Sequence, residues 1–348
     1  MNPKFSRANQ ISASLSVALG AFIGLIFRGA MDSNWLSDLY PKLTGILTLT
    51  FLAIVPLVSG YITVRNYLRT TPPGQQRWWR WLFLPWLAVL LTMAVSVAIK
   101  WEGIICLVFA SPIMLTTALL GGLLARLLWG RLQRRSPGTI VAFALPLLLI
   151  LVENHIPLPN QTRTVETAIF VHAPAVVVWD NIKSVRAISS AELPSSWIYT
   201  IGFPRPVAAT LSHDGIGGVR NAGFTGGLVF TESVYRWEPL QDLAFTIRAN
   251  TATIPHTTLD DHVTIGGAFF DVLDGEYRLE SRPDGILLHL TSHQRLSTHL
   301  NPYAALWTEA VVRTIQEQIL FVIRNRCEHT IGTEASPLRA QTQQEPQP

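Results

Sequence analysis

The chain has 348 residues, more than one small domain needs and enough for two folded units. Its mean hydropathy is +0.29 and only 14% of its residues are charged, against about 25% in soluble proteins, which excludes an ordinary soluble globule. The net charge of +4 comes largely from Arg and Lys in short segments between apolar runs, and no basic cluster interleaved with aromatics follows, so the balance does not describe a nucleic-acid binder; two cysteines, Cys106 and Cys327, exclude a disulfide scaffold and a Cys-rich metal site.

Five apolar runs occupy the first half, at 11–27, 43–64, 81–99, 104–125 and 139–155. Crossing hydrocarbon about 30 Å thick takes about 20 helical residues, which the second, third and fourth runs supply. The first is slightly short, and a cleaved signal is its alternative reading. The fifth holds about 14 apolar residues before Glu153, Asn154 and His155, so it spans only if its helix continues or the bilayer thins locally. Residues 1–155 are therefore expected to form a transmembrane region of about five helices. Pro56, Pro85, Pro112 and Pro146 lie inside runs, where Ser and Thr hydroxyls can satisfy the carbonyls they free. Gly20 and Gly24 stand four residues apart, a spacing that permits close helix approach.

Arg and Lys favour one set of loops: Lys4 and Arg7, then Arg65, Arg69, Arg77 and Arg80, then Arg126, Arg131, Arg134 and Arg135. The opposite loops hold only Arg28, Lys42 and Lys100. This excess places the N-terminus in the cytoplasm, and five crossings then deliver the second half to the outer side of a cell (inner) membrane. No run carries a charge at its middle, which argues against a transporter or pump.

Past the linker around Pro157 and Pro159 the period changes. Residues 164–171 alternate as a strand, 174–183 follow as a short helix opened by Pro174, and a second short helix or loop covers 189–196. Strands are expected at 207–212, 218–225, 228–237, 243–249, 269–280 and 286–297, with Gly226-Gly227 as a two-residue hairpin and Asp284-Gly285 as another turn. One long helix closes the domain from Pro302 to about His329, with a stripe of Tyr303, Trp307, Val311, Ile315, Ile319, Val322 and Ile323. Residues 332–348 lack an apolar period and are expected to be disordered. A curved antiparallel sheet with two short helices, and the long helix across its concave face, satisfies these patterns. Such a grip leaves room for an elongated apolar cavity.

Several residues could carry chemistry there. Glu232 alternates with Phe230 and Val234; if those face inward, so does the carboxylate. A two-residue turn puts Asn221 opposite it, whereas one bulge brings Arg220 beside it. His289, Thr291, His293 and Arg295 share one strand face, and Leu288, Leu290 and Leu296 the other, with His299 beyond; the polar set either faces water or marks a cavity mouth. His256, Asp260, Asp261 and His262 lie in a long loop that reads as a solvated lid more readily than as a metal site. Trp179, Trp197, Phe245, Tyr277 and Trp307, with Phe269 and Phe270, supply core or cavity wall. No Ser-His-Asp elbow, phosphate loop or dinucleotide fingerprint occurs.

The element order, with "VHAPAVVVWDNI", "GGVRNAGFTGGLVFTESVYRWEPLQDLAFTI", "GEYRLESRPDG" and "LTSHQRLSTHLNPYAALW", resembles the START-like helix-grip fold. Within it, the pieces resemble the polyketide cyclase/dehydrase and lipid-transport branch, often labelled SRPBCC, over 163–329. The resemblance implies an α+β domain behind a membrane bundle, and a hydrophobic or lipid-like small molecule as partner beside the membrane. It carries no shared catalytic motif; no cofactor is expected, and no metal, since no carboxylate or Cys stands at matching spacing to the strand histidines. The ligand-lining set expected is Trp179, Trp197, Phe230, Glu232, Phe245, Tyr277, Arg295, Tyr303 and Trp307. The alternatives are a cyclase/dehydratase-like enzyme, a lyase using Glu232 and His293 as acid and base, and a structural or partner-binding domain with a filled core.

Overall fold

The computed structural model describes residues 3–31, 48–132, 138–153, 155–250, 265–267 and 269–341, with side chains for 8–30, 48–130, 144–153, 155–250, 265–267 and 269–329. The loop holding His256, Asp260, Asp261 and His262 lies outside them. The chain divides into two compact units, one built on residues up to Pro159 together with Thr298–Leu300, the other from Asn160 onward.

The first unit consists of helices α1 (Pro3–Met31), α2 (Val55–Thr70), α3 (Arg80–Ala98), α4 (Ile104–Leu132) and α5 (Gly138–Glu153). Among the described residues, four spans are long and apolar enough to cross a membrane: Ala8–Ala30, Thr50–Thr70, Arg80–Ala98 and Ile104–Gly130. The fifth run is helical over 16 residues, which at 1.5 Å each falls short of about 30 Å of hydrocarbon. A π-helical turn, Thr50–Ile54, precedes α2 next to Pro56, whose missing N–H interrupts the regular ladder. Pro112 frees the Val108 carbonyl, and Ser111 Oγ donates to that oxygen at 2.9 Å.

Helices α1 and α2 run antiparallel: Ser59 Oγ donates to Gly20 O at 2.9 Å and Asn66 Nδ2 to Ser16 Oγ at 3.0 Å. Helices α2 and α4 approach so closely that a Cβ on Gly60 would overlap Ala118 O, and one on Gly121 would overlap Leu57 O. One end of this unit gathers its buried charges. Arg28 pairs with Glu102, and its Nη2 donates to Trp101 O at 2.7 Å. Glu153 accepts the N–H groups of Leu49 at 2.6 Å and Thr50 at 2.9 Å, an anionic cap on the start of the second span.

The second unit is a seven-stranded, curved antiparallel sheet. Its strands are β1 (Gln161–Val171), β2 (Pro206–Leu211), β3 (Val219–Phe224), β4 (Val229–Glu238), β5 (Asp242–Asn250), β6 (Phe270–Arg282) and β7 (Gly285–Leu296), in the order β1-β7-β6-β5-β4-β3-β2. Between β1 and β2 come α6 (Ala175–Lys183), whose Val178, Trp179 and Ile182 are buried, and the four-residue α7 (Trp197–Thr200). Helix α8 (Asn301–Gln341) follows β7. It runs past the end expected at about His329, so 332–341, expected to be disordered, are helical backbone; 342–348 lie outside the described residues.

Leu320, Ile323 and Cys327 of α8 join the sheet core with Leu288, Leu290 and Tyr277. The helix is also pinned by polar contacts, because Gln316 reaches two strands at once. Thr167 Oγ1 donates to its Oε1 at 2.7 Å, and its Nε2 donates to Val165 O at 3.1 Å and Ser292 Oγ at 3.0 Å. The apolar stripe alone did not indicate Gln316, Leu320 or Cys327 as inward residues.

Candidate functional site

The β3–β4 connection decides the chemistry of the sheet interior. Phe224 N–H donates to Leu228 O, so the turn is Thr225-Gly226-Gly227, three residues rather than two, with Gly226 at φ 79° and Gly227 at φ 85°. The extra residue shifts the register by one step. Arg220 stands directly opposite Glu232, and Asn221 opposite Thr231.

Both partners are buried, at 4% and 6% exposure, and the Arg220 guanidinium binds the Glu232 carboxylate. It lies over Phe245, 5.4 Å from the ring centroid, and over Tyr277 at 5.9 Å. Burial pushes the Glu232 carboxyl above the usual carboxylate range against the pull of Arg220, and raises the Tyr277 hydroxyl as well. Gly275 leaves the space that Phe245 fills, since a Cβ there would lie 2.8 Å from the ring.

Strand β7 alternates between buried and half-exposed residues. Ile286, Leu288, Leu290, Ser292, Gln294 and Leu296 face inward. Gln294 has no exposure, and neither Nε2 nor Oε1 meets a partner among the described side chains; Gln318 Oε1 on α8 and Arg220 Nε are buried and unmatched too. The strand pairing sets Arg220, Glu232 and Gln294 at one level of the sheet. Glu232 pairs with Ile247, and the neighbours of Ile247 and Gln294, Thr246 and His293, both pair with Asp274. Arg220, Glu232, Ile247 and Gln294 thus form one transverse row. Arg163, opposite Gln294 on β1, extends it and is paired with Glu309 at 3.5 Å.

The residues expected from sequence divide into three groups. Glu232, Phe245 and Tyr277 are buried and surround Arg220, with Phe230 half-buried beside Phe224, ring centroids 5.3 Å apart. Trp179 is core, edge-on to Trp237 at 5.1 Å, and Tyr303 and Trp307 pack on each other at 6.3 Å on the first turns of α8. The rest are corrected. His293 and Arg295 occupy the outer face, because strand parity opposes them to Gln294. His293 Nδ1 sits 2.6 Å from Asp274, and Arg295 donates to Gly267 O at 2.5 Å and Ser297 Oγ at 3.2 Å. Trp197 is 43% exposed, since the buried residue of α7 is Ile198. His299 belongs to the helical unit, 2.9 Å from Glu153. Glu232 and His293 therefore do not form an acid/base pair. Gln294 was missed, although it shares parity with Leu288, Leu290 and Leu296.

No family model matches the chain, and no curated protein matches it. Solved structures similar to it include an uncharacterized protein from Rhizobium leguminosarum, 14% identical over 48% of this chain and 97% of that one, with a TM-score of 0.29. The Zhui aromatase/cyclase from Streptomyces sp. R1128 is 16% identical over 48% and 94%, TM-score 0.29. The Aha1 dimer from Colwellia psychrerythraea is 10% identical over 48% and 96%, TM-score 0.28. No activity follows from likenesses at these scores; the architecture stands on the sheet order and the α8 contacts described above.

Proposed function

We propose that the sheet unit binds a hydrophobic or amphipathic small molecule between its inner face and α8, and that the helical unit holds the chain in a membrane. The observation that carries this reading is the fully buried Gln294 amide, unmatched at both ends among the described residues, while the charges of its row are already paired with one another or with Glu309. Burying a polar group without a partner is costly, so an interior filled only by side chains would not keep it there. This favours an occupied interior over a filled core. The cyclase/dehydratase-like reading keeps Glu232 but loses His293, which faces outward.

The lipid-like partner and the START-like assignment belong to the same proposal, as does the cell-membrane location with a cytoplasmic N-terminus. Helix α4 starts beside the Arg28–Glu102 end of its unit, and only five residues separate its end from α5. Helix α5 finishes with Glu153 capping Leu49 and Thr50, back at that first end. This supports a fifth crossing despite the short helix, and an outer location for the sheet unit.

The test is native mass spectrometry of the full chain purified in lipid nanodiscs. A co-purifying small molecule, released when Arg220 or Gln294 is replaced, is the expected result. An empty chain from several growth conditions would count against binding.

A further inference from the structure

We infer that the occupant of the sheet interior carries an uncharged hydrogen-bonding group, a hydroxyl, ketone or amide, and that Gln294 recognises it. This rests on the binding reading above. A carboxamide offers both donors and an acceptor, so one neutral oxygen-bearing group can satisfy Gln294 from either side. Among the described residues, Arg220 Nε and Arg163 Nε, in the same row of the sheet, add further unmatched donors.

Charge is what excludes an anionic head. The two guanidinium groups of this row are each matched by a carboxylate, Arg220 by Glu232 and Arg163 by Glu309. A ligand carboxylate or phosphate would add a negative charge with no free cation in the row to meet it. Burying an unpaired charge costs far more than burying a neutral polar group. The walls of the row, Phe245, Ile247 and Tyr277, are apolar or weakly polar and do not offset that cost.

The experiment uses two photoreactive probes with the same hexadecyl chain and mid-chain diazirine, one ending in a primary alcohol and one in a carboxylate. The full chain is reconstituted in phosphatidylcholine nanodiscs, irradiated at neutral pH and mapped by peptide mass. The alcohol probe is expected to label peptides from β3, β4 and β7 about tenfold more than the carboxylate probe, the ratio of a single hydrogen-bonding group. Gln294→Leu is expected to abolish that preference. Glu232→Gln, which leaves the Arg220 charge unmatched, is expected to reverse it. Equal labelling of the wild type by both probes overturns the inference while leaving binding intact, and so does undiminished preference in Gln294→Leu. No labelling of these strands by either probe removes the binding reading and the inference together. The wild-type comparison needs no variant to fold.

Discussion

Arg220 and Glu232 face each other across β3 and β4 inside the sheet unit, each about 95% buried, with the guanidinium lying over Phe245 and Tyr277. Removing either partner strands a charge, so Arg220→Met or Glu232→Leu alone should destabilise the unit by about 3–5 kcal/mol. The double replacement should recover most of that loss, because two apolar side chains of similar volume carry no desolvation penalty. Thermal unfolding of the full chain, followed by near-ultraviolet circular dichroism, checks this. Single variants as stable as the wild type would show that the pair is not buried in solution.

The outer-face histidine supplies the matching control. His293 is 38% exposed and contacts Asp274, not the interior. His293→Ala should change stability by less than about 1 kcal/mol and leave co-purifying ligand unchanged in the nanodisc preparation. A lost ligand mass would put His293 back into the site.

Much of this unit was legible because its signals are local. The Asp-Gly signal, with Pro283-Asp284 as the turn and Gly285 opening β7, and the strict alternation of β7 indicated the strand and both of its faces. The pairing at Arg220 was harder. Gly226-Gly227 announces a hairpin, but the glycines do not reveal whether Thr225 belongs to the turn, and that one residue exchanges Asn221 for Arg220 opposite Glu232. Aromatic identity misplaced Trp197, since an indole at the start of a four-residue helix is positioned by tertiary packing and not by period. Gln294 was hidden differently. Its parity was readable, but a polar residue among inward leucines acquires meaning only once its lack of partners is seen.

Helix contact in the first unit depends on hydrogen atoms at two positions. Gly60 and Gly121 let α2 and α4 meet backbone to backbone, and a Cβ at either would strike a carbonyl oxygen of the other helix. Gly60→Val or Gly121→Val should lower stability by about 1–3 kcal/mol, the cost of overpacking. A drop in the thermal midpoint of the detergent-solubilised chain, larger than for Gly130→Val, is the expected readout, because Gly130 has nothing within 4 Å.

Acid should release α8 from the α6–α7 connection. Arg326 holds Glu192 at 2.7 and 3.1 Å and also donates to Arg186 O and Ala187 O. The Arg326 hydrogen bond takes the Glu192 carboxyl from its ordinary 4.5 to about 2. A carboxyl lowered on folding stabilises above its unfolded value, and that contribution fades as pH falls from about 4.5 toward about 2. Because Glu192 is about one-third exposed, the pair is worth at most about 1 kcal/mol. Glu192→Gln should lower stability slightly at neutral pH and flatten the acid limb of the stability curve in that window. An unchanged acid limb would mean that the contact does not persist in solution.

The side of the membrane on which the sheet unit lies turns on α5. Its 16 residues rise only about 24 Å, yet Glu153 at its end caps Leu49 and Thr50 at the start of the second span. On the proposed topology a helix ending there has crossed, with local thinning of the bilayer making up the missing length at modest cost. Alkaline phosphatase fused after residue 341 should therefore be active in a bacterial host, and a fluorescent protein at the same place dark. Deleting 138–153 should exchange the two outcomes, because it returns the unit to the side of Lys4 and Arg7. Fluorescence from the undeleted fusion would show that α5 does not cross, and that the Glu153 cap forms without a fifth span.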